Sequence, residues 1–345
     1  MEMATDLIEE LENKFDHVDT GIFVSGFEGY WSNLSIEENK MLIDGLKDNT
    51  ARQALLKYQP WLENVIYSPK RQAGLELLEL KGNEICIDYG CMWGAITIPL
   101  AKRTKLVLGI DQTRDSLLFL QARAKEENLD NIILLCADIK RMPDFDNKAD
   151  VAVVNGVLEW IPEEGAIELT SYYGKYGKKN YSVSPLIQQK RFLEKVYGNL
   201  REGGKLYLAI ENRYDFKMFF GVKDPHAYIR LTSLLPRKLA NLISSLRLGR
   251  PYVNWLYSFH SIARLLNDSG FGMVDVYMCF PDYRFPERII PYGQSLRGFK
   301  PTISTRDSQG RIRFQRLIAN NIERFVFRVL RARFFAPSII AVGHK

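Results

Sequence analysis

Three aspartates stand where short apolar runs end: Asp88 after Ile85-Cys86-Ile87, Asp111 after Leu106 to Ile110, and Asp138 after Ile132 to Ala137. Acids so placed collect at the carboxyl edge of a parallel sheet, where ligands bind in open α/β folds. Asp88 leads into Tyr89-Gly90-Cys91-Met92-Trp93-Gly94. A turn containing glycine lets a ligand come close to the backbone, because glycine has no Cβ and reaches positive φ without penalty. Asp111 follows Asp88 by 23 positions, a separation at which a carboxylate accepts hydrogen bonds from ribose hydroxyls in dinucleotide folds. Two phosphate-binding versions of such a turn do not fit. The pattern G-x-G-x-x-G is met by Gly90, Met92 and Ala95, which loses its second and third glycines, and no GxxxxGK[ST] loop is present.

Positioning these residues requires alternating strands and helices. Candidate strands are Ile85 to Tyr89, Leu106 to Ile110, Ile132 to Cys136, Val151 to Asn155 and Lys205 to Ile210, with helical segments near Ala95 to Lys102, Ser116 to Asn128 and Pro185 to Leu200 between them. Near-continuous apolar strands in βαβ alternation predict a doubly wound α/β fold, a parallel sheet covered on both faces. A helix around Phe259 to Asp268, a strand from Met273 to Phe280 and a last strand from Ser338 to Val342 follow, so 212–257 and 281–337 read as insertions. Leu34, Met41, Leu42 and Leu46, then Leu55, Leu56, Trp61, Leu62 and Ile66, recur at roughly helical spacing, which predicts an N-terminal helical extension over 1–80 ahead of one domain at 81–345.

From about Glu84 onward the chain resembles class I S-adenosylmethionine-dependent methyltransferases, on several motifs in order. Asp88, Gly90 and Gly94 match the acid and alternate glycines of that family's first loop; Asp111 matches its ribose-binding acid; Asp138, within Ala137-Asp138-Ile139, matches the acid that bonds the adenine amino group; Asn155-Gly156-Val157-Leu158-Glu159-Trp160 matches the loop beside cofactor and acceptor. Met92 departs from the pattern, standing where the family usually has its middle glycine. The resemblance implies a Rossmann-like sheet of seven mostly parallel strands with an antiparallel last strand. It implies S-adenosylmethionine as cofactor, held by Asp88, Tyr89, Gly90, Cys91, Met92, Gly94, Asp111, Gln112, Ala137, Asp138, Ile139, Asn155 and Gly156.

Methyl transfer is an in-line displacement, in which the protein aligns the acceptor and excludes water. A sugar hydroxyl is a poor nucleophile at neutral pH and gains from a general base within about 3 Å. Glu159 after the fourth strand and Glu211 after the fifth are the candidates, with His226 and His260 behind them. Ile210-Glu211-Asn212-Arg213-Tyr214 and Cys279-Phe280-Pro281-Asp282-Tyr283-Arg284-Phe285-Pro286 are similar to a methyltransferase subgroup that accompanies bacterial cell-surface polysaccharide assembly. That similarity implies a small-molecule or glycan acceptor, lipid- or nucleotide-linked, with Arg213, Arg230, Arg237, Arg250 and Arg284 available to pair with carrier phosphates. Two alternatives stay open: a nucleic-acid methyltransferase, disfavoured because no RNA-binding module and no Asn/Asp-Pro-Pro-aromatic loop is present, and a degenerate interaction module that has lost turnover.

Composition sets the remaining bounds. At 345 residues and 46% hydrophobic, the chain buries a full core. It shows no secretory signal and no long uncharged apolar run, so a cytoplasmic protein is expected, in contact at most with the inner face of the membrane. Cys86, Cys91, Cys136 and Cys279 form no CxxC pair and read as reduced, buried thiols; no metal site is expected. The net charge of +6 is concentrated late, with 13 Lys+Arg against 4 Asp+Glu over 281–345. The basic stretch Arg311 to Phe335 would suit an anionic membrane surface, but its apolar residues are spread too broadly for a clean stripe, and burial against the core is expected.

Overall fold

The computed structural model describes residues 2–17, 21–26, 29–142, 144–162, 167–168, 183–304 and 314–345. Its strands are β1 (Asp16–His17), β2 (Phe23–Val24), β3 (Trp31–Ser32), β4 (Ile85–Tyr89), β5 (Leu106–Asp111), β6 (Ile132–Cys136), β7 (Ala149–Asn155), β8 (Ile167–Glu168), β9 (Leu200–Glu211), β10 (Met273–Phe280), β11 (Arg288–Pro291) and β12 (Ser338–His344). Ten of them form one sheet in the order β1-β2-β6-β5-β4-β7-β9-β12-β10-β11, and β3 pairs with β8 apart from it. β6, β5, β4, β7 and β9 run parallel to one another, while β12 is antiparallel to both β9 and β10. The expectation of seven strands is thereby corrected to ten. The additions are short edge strands: the β1–β2 hairpin beside β6 and β11 beside β10. Their few residues alternate too briefly to leave a period in the sequence.

Side chains alternate across each strand and so sort onto two faces. Ile85, Ile87, Leu106, Leu108, Ile110, Leu206, Leu208 and Ile210 share a core with Phe192, Leu193 and Val196 of the helix Pro185–Asn199 and with Ile262 and Leu266 of the helix Phe259–Asp268. Cys86, Val107, Val151, Val153, Tyr207 and Ala209 face the other way, onto Leu75, Leu78, Ile96 and Leu100. The helix Arg114–Glu126 covers that second face next to β6 through Leu117 and Leu120. Helices on both faces make the fold doubly wound and Rossmann-like. All four cysteines are buried and none is in a disulfide.

The first 80 residues are not all helical, since they contribute β1, β2 and β3. Two capping boxes, Ser35 with Glu38 and Thr50 with Gln53, start the helices Ile36–Gly45 and Ala51–Tyr58. Leu42, Ala54, Leu55 and Ile66 pack on Trp93 and Phe119, which fastens this segment beside the turn after β4. The chain on either side of β3 then runs over the ends of β5 and β6: Ser25 N–H donates to the Cys136 carbonyl (3.1 Å), Gly29 N–H to the Gln112 carbonyl (3.0 Å) and Trp31 N–H to Thr113 Oγ1 (2.8 Å).

At the other end of the sheet, Asn212 is fully buried and ties two late segments together. Its amide donates to the carbonyls of Phe334 and Ala336, each at 2.7 Å. The helix Phe314–Arg324 is pinned by Glu323, whose carboxylate accepts from Thr302 N–H, Thr302 Oγ1 and Ile303 N–H. Val326 and Phe327 are buried, but Phe314 (74% exposed), Leu317, Ile318, Phe325, Val329 and Leu330 are not, so the expected burial of this stretch against the core is corrected. Residues 311–313 lie outside the described residues. Among the described residues no helix is long and apolar enough to cross a membrane.

Candidate functional site

A cavity of about 310 Å³ opens where the carboxyl ends of β4 and β7 meet. β4 lies between β5 and β7, so chain connections leave it in opposite directions and the strand ends part into a crevice. Asp88, Gly90, Cys91, Met92, Asn155, Gly156, Glu159 and Glu211, all singled out in the sequence, line it. Tyr89, Gly94, Asp111, Gln112, Ala137, Asp138 and Ile139 do not. Tyr89 faces the core, where its hydroxyl accepts from Asn199 at 2.8 Å, and Gln112 lies under the chain near Gly29. Asp138 caps its own turn, accepting from Lys140 N–H at 3.0 Å.

The glycine turn holds its acids with local donors. Asp88 is buried and accepts from Thr97 Oγ1 at 2.7 Å; burial pushes its carboxyl up to about 7, with the Thr97 hydroxyl opposing and Asp111 adding to the rise. Asp111 accepts from Met92 N–H (2.9 Å) and Thr113 N–H (2.8 Å), and burial still raises it to about 6. Met92 keeps a left-handed backbone, φ 44°, despite its side chain. The N–H bond to Asp111 offsets a conformation that costs a non-glycine residue about 1–2 kcal/mol. Met92 thus takes the left-handed conformation that a glycine would adopt without penalty.

The opposite wall is built from distant parts of the chain. Glu159 sits on the turn Leu158–Trp160 after β7, Glu211 ends β9, and His226 comes from the segment beyond it. His226 Nε2 is 3.8 Å from Glu159 Oε1 and 3.8 Å from Glu211 Oε2. Glu159 is 1% and His226 2% exposed. Burial raises the Glu159 carboxyl, with His226 opposing. Burial disfavours charge on His226, but Asp224, Glu159 and Glu211 around it outweigh burial and raise its pKa. Tyr283 reaches in from the loop after β10: Gly156, at φ 71°, would put a Cβ 2.4 Å from the Tyr283 hydroxyl oxygen. Trp31, Trp160, Arg71 and Arg284 also line the cavity.

Some of these residues escaped sequence reasoning. Trp31 and Arg71 belong to the N-terminal extension and carry no local signal. His260 is exposed and packs on Tyr292, outside the cavity. Of the five arginines expected to meet phosphates, Arg284 alone lines this cavity. Arg213 bonds the Ser233 and Leu235 carbonyls, Arg237 bonds the Leu256 carbonyl, Arg250 is buried, and Arg230 lines a separate cavity.

Residues 86–172 match a family model described as a methyltransferase domain. The chain is similar to an uncharacterized RNA methyltransferase of Clostridium tetani, 31% identical over 85 residues, covering 24% of this chain and 18% of that protein. It is similar to an uncharacterized RNA methyltransferase of Listeria monocytogenes, 28% identical over 136 residues, covering 38% of this chain and 28% of that protein. The chain thus spans between a fifth and about a quarter of these relatives' length. A solved S-adenosylmethionine-dependent methyltransferase of Thermotoga maritima, described as a possible histamine N-methyltransferase, is 12% identical with a TM-score of 0.45, covering 85% of this chain and 97% of that one. By this matched segment, about a quarter of its length, the chain resembles a methyltransferase domain.

Proposed function

We propose that the chain methylates a hydroxyl of a small-molecule or glycan acceptor, a sugar on a lipid or nucleotide carrier in surface polysaccharide assembly. The observation that carries this reading is one cavity with two walls: the glycine turn and Asp88 on one side, and Glu159, Glu211 and His226 on the other. The first wall suits the cofactor. Asn155 Oδ1 is buried without a hydrogen-bond partner, Asp88 offers a carboxylate, and the turn brings bare backbone to the cavity. Asp111 stands behind the turn, where its carboxylate accepts Met92 N–H and Thr113 N–H and supports this wall from outside the cavity.

When bound, S-adenosylmethionine supplies an electrophilic methyl group on a sulfonium. Glu159 and Glu211 stand where an acceptor hydroxyl would enter, and one of the two carboxylates would take its proton as the methyl group passes from sulfur to that oxygen. Trp31, Trp160 and Tyr283 exclude water from this step. Arg71 and Arg284 lie on the same cavity and suit a carrier phosphate. The late insertion also exposes Phe314, Leu317, Ile318 and Phe325 beside Arg324 and Arg328, a surface that fits an anionic membrane carrying such an acceptor.

Similarity to proteins named RNA methyltransferases favours RNA as the second reading. Calorimetric titration with S-adenosylmethionine and S-adenosylhomocysteine comes first. Transfer of labelled methyl to nucleotide- and lipid-linked sugars, with RNA in parallel, then separates the readings. Label in the sugars supports the proposal; label in RNA alone replaces it.

A further inference from the structure

We propose that Glu159, Glu211 and His226 bind one divalent transition-metal ion at the acceptor end of the cavity. The inference deepens the methyl-transfer reading and rests on it for the ion's use, but the ligand geometry stands by itself. It runs against the expectation from the sequence, in which cysteines were the residues weighed for a metal.

Three ligand atoms, one from each residue, lie within 4.8 Å of one another. None bonds another. The two His226–glutamate separations are both 3.8 Å, whereas a charge-assisted hydrogen bond closes to about 2.7–2.9 Å. Ligands about 2.0–2.2 Å from a common ion stand roughly 3.4 Å apart in tetrahedral geometry. The observed spacing is nearer to the second case. Glu159 Oε2, Glu211 Oε2 and His226 Nδ1 are all buried without a hydrogen-bond partner, which leaves two carboxylates facing one cavity with their bonding incomplete.

A fourth residue, Asp224, stands behind the imidazole. Asp224 Oδ1 accepts the N–H groups of His226 (2.8 Å) and Ala227 (2.9 Å), and its Oδ2 accepts the Tyr252 hydroxyl (2.9 Å). So held, it stands 3.6 Å from His226 Nδ1 and leaves Nε2 toward the glutamates. A carboxylate behind the outer nitrogen is the usual support of a metal-bound histidine. One imidazole and two carboxylates suit Mn²⁺, Fe²⁺ or Zn²⁺, and three protein ligands leave positions open for an acceptor oxygen, which the ion would acidify.

The test uses the full chain, stripped with a chelator, and titrated with Mn²⁺ and Zn²⁺ by calorimetry and with Co²⁺ by visible absorption. One equivalent is expected, with affinity at least tenfold weaker in Glu211→Gln and His226→Asn, and about 10- to 100-fold weaker in Asp224→Asn. Circular dichroism and S-adenosylmethionine titration of each sample check that it is folded; Glu211 is the least buried ligand and its variant the safest. A folded chain that binds S-adenosylmethionine yet takes up no metal, or binds it equally in all variants, overturns the site. Metal uptake without cofactor binding would instead sink the methyl-transfer reading and leave the site standing.

Discussion

The two walls of the cavity treat buried acids in opposite ways. On the side of β4 and β5, Asp88 accepts a hydroxyl and Asp111 accepts two backbone N–H groups, all at 2.7–2.9 Å. On the side of β7 and β9, Glu159, Glu211 and His226 converge, yet each keeps an atom with no partner. The acids of the first wall are bonded by their own chain; those of the second keep atoms for what enters. The difference suits the roles proposed for them. A wall that receives the same cofactor in every turnover gains from preorganisation, because little ordering remains at binding. The acceptor wall keeps unsatisfied polar atoms, which reject any ligand that cannot complete them.

The largest expected effect tests whether the cofactor wall is as self-sufficient as its bonds suggest. An acid whose folded pKa exceeds its unfolded value binds more protons when folded. Asp88, raised from 3.8 to about 7, therefore contributes stability that is fully present below about pH 4 and lost as pH rises through about 7. The loss is on the order of 4 kcal/mol. Asp88→Asn keeps an acceptor for Thr97 and should flatten this part of the profile, read by urea unfolding at several pH values; parallel profiles would mean that Asp88 is solvated after all.

Gly156 joins the walls, and altering it should disturb both. Its alanine variant combines a left-handed φ of 71° with a Cβ 2.4 Å from the Tyr283 hydroxyl oxygen, for a loss of about 2–4 kcal/mol. Adding Tyr283→Phe removes the contacted oxygen and should return part of that loss. No recovery in the double variant would assign the cost to the backbone alone.

Cofactor affinity separates the walls directly. Asp111→Ala should weaken S-adenosylmethionine binding about 10- to 150-fold, the equivalent of losing a hydrogen bond to a charged group. Glu159→Gln, across the cavity, should leave it within about threefold. Calorimetry on both variants, with unfolding curves as controls, reads the contrast, and equal losses would erase the distinction between the walls.

The same division explains what could be read from the sequence. β4, β6 and β10 begin and end where their apolar runs do, and Asp88, Gly90 and Met92 fall on the cavity because a strand and the turn after it are local in the chain. The acceptor wall draws residues from positions 31, 71, 159, 211, 226 and 283. No spacing links these positions; strand order brings them together. Glu159 and Glu211 were found because each follows a strand, whereas Trp31 and Arg71 follow none of the sheet's central strands. The short edge strands β1, β2 and β11 were missed because two to four residues carry no period.

The smallest expected effect asks whether the acceptor wall extends to a membrane. The insertion that brings Tyr283 to the cavity also carries Phe314, Leu317, Ile318 and Phe325 on the outside, with Arg324 and Arg328 among them. A basic residue near an anionic surface contributes about 1 kcal/mol, and the attraction weakens as salt shortens its range. The full chain should therefore co-sediment with vesicles containing phosphatidylserine at low ionic strength and less at high. Leu317→Glu with Ile318→Glu should reduce binding at both, because apolar insertion does not depend on salt, while Arg328→Glu should act mainly at low salt. Lys125→Glu, on the helix that covers the cofactor wall, should change neither. Equal effects from Lys125 and Arg328 would make the attraction a property of net charge, and the exposed apolar face would then need another partner.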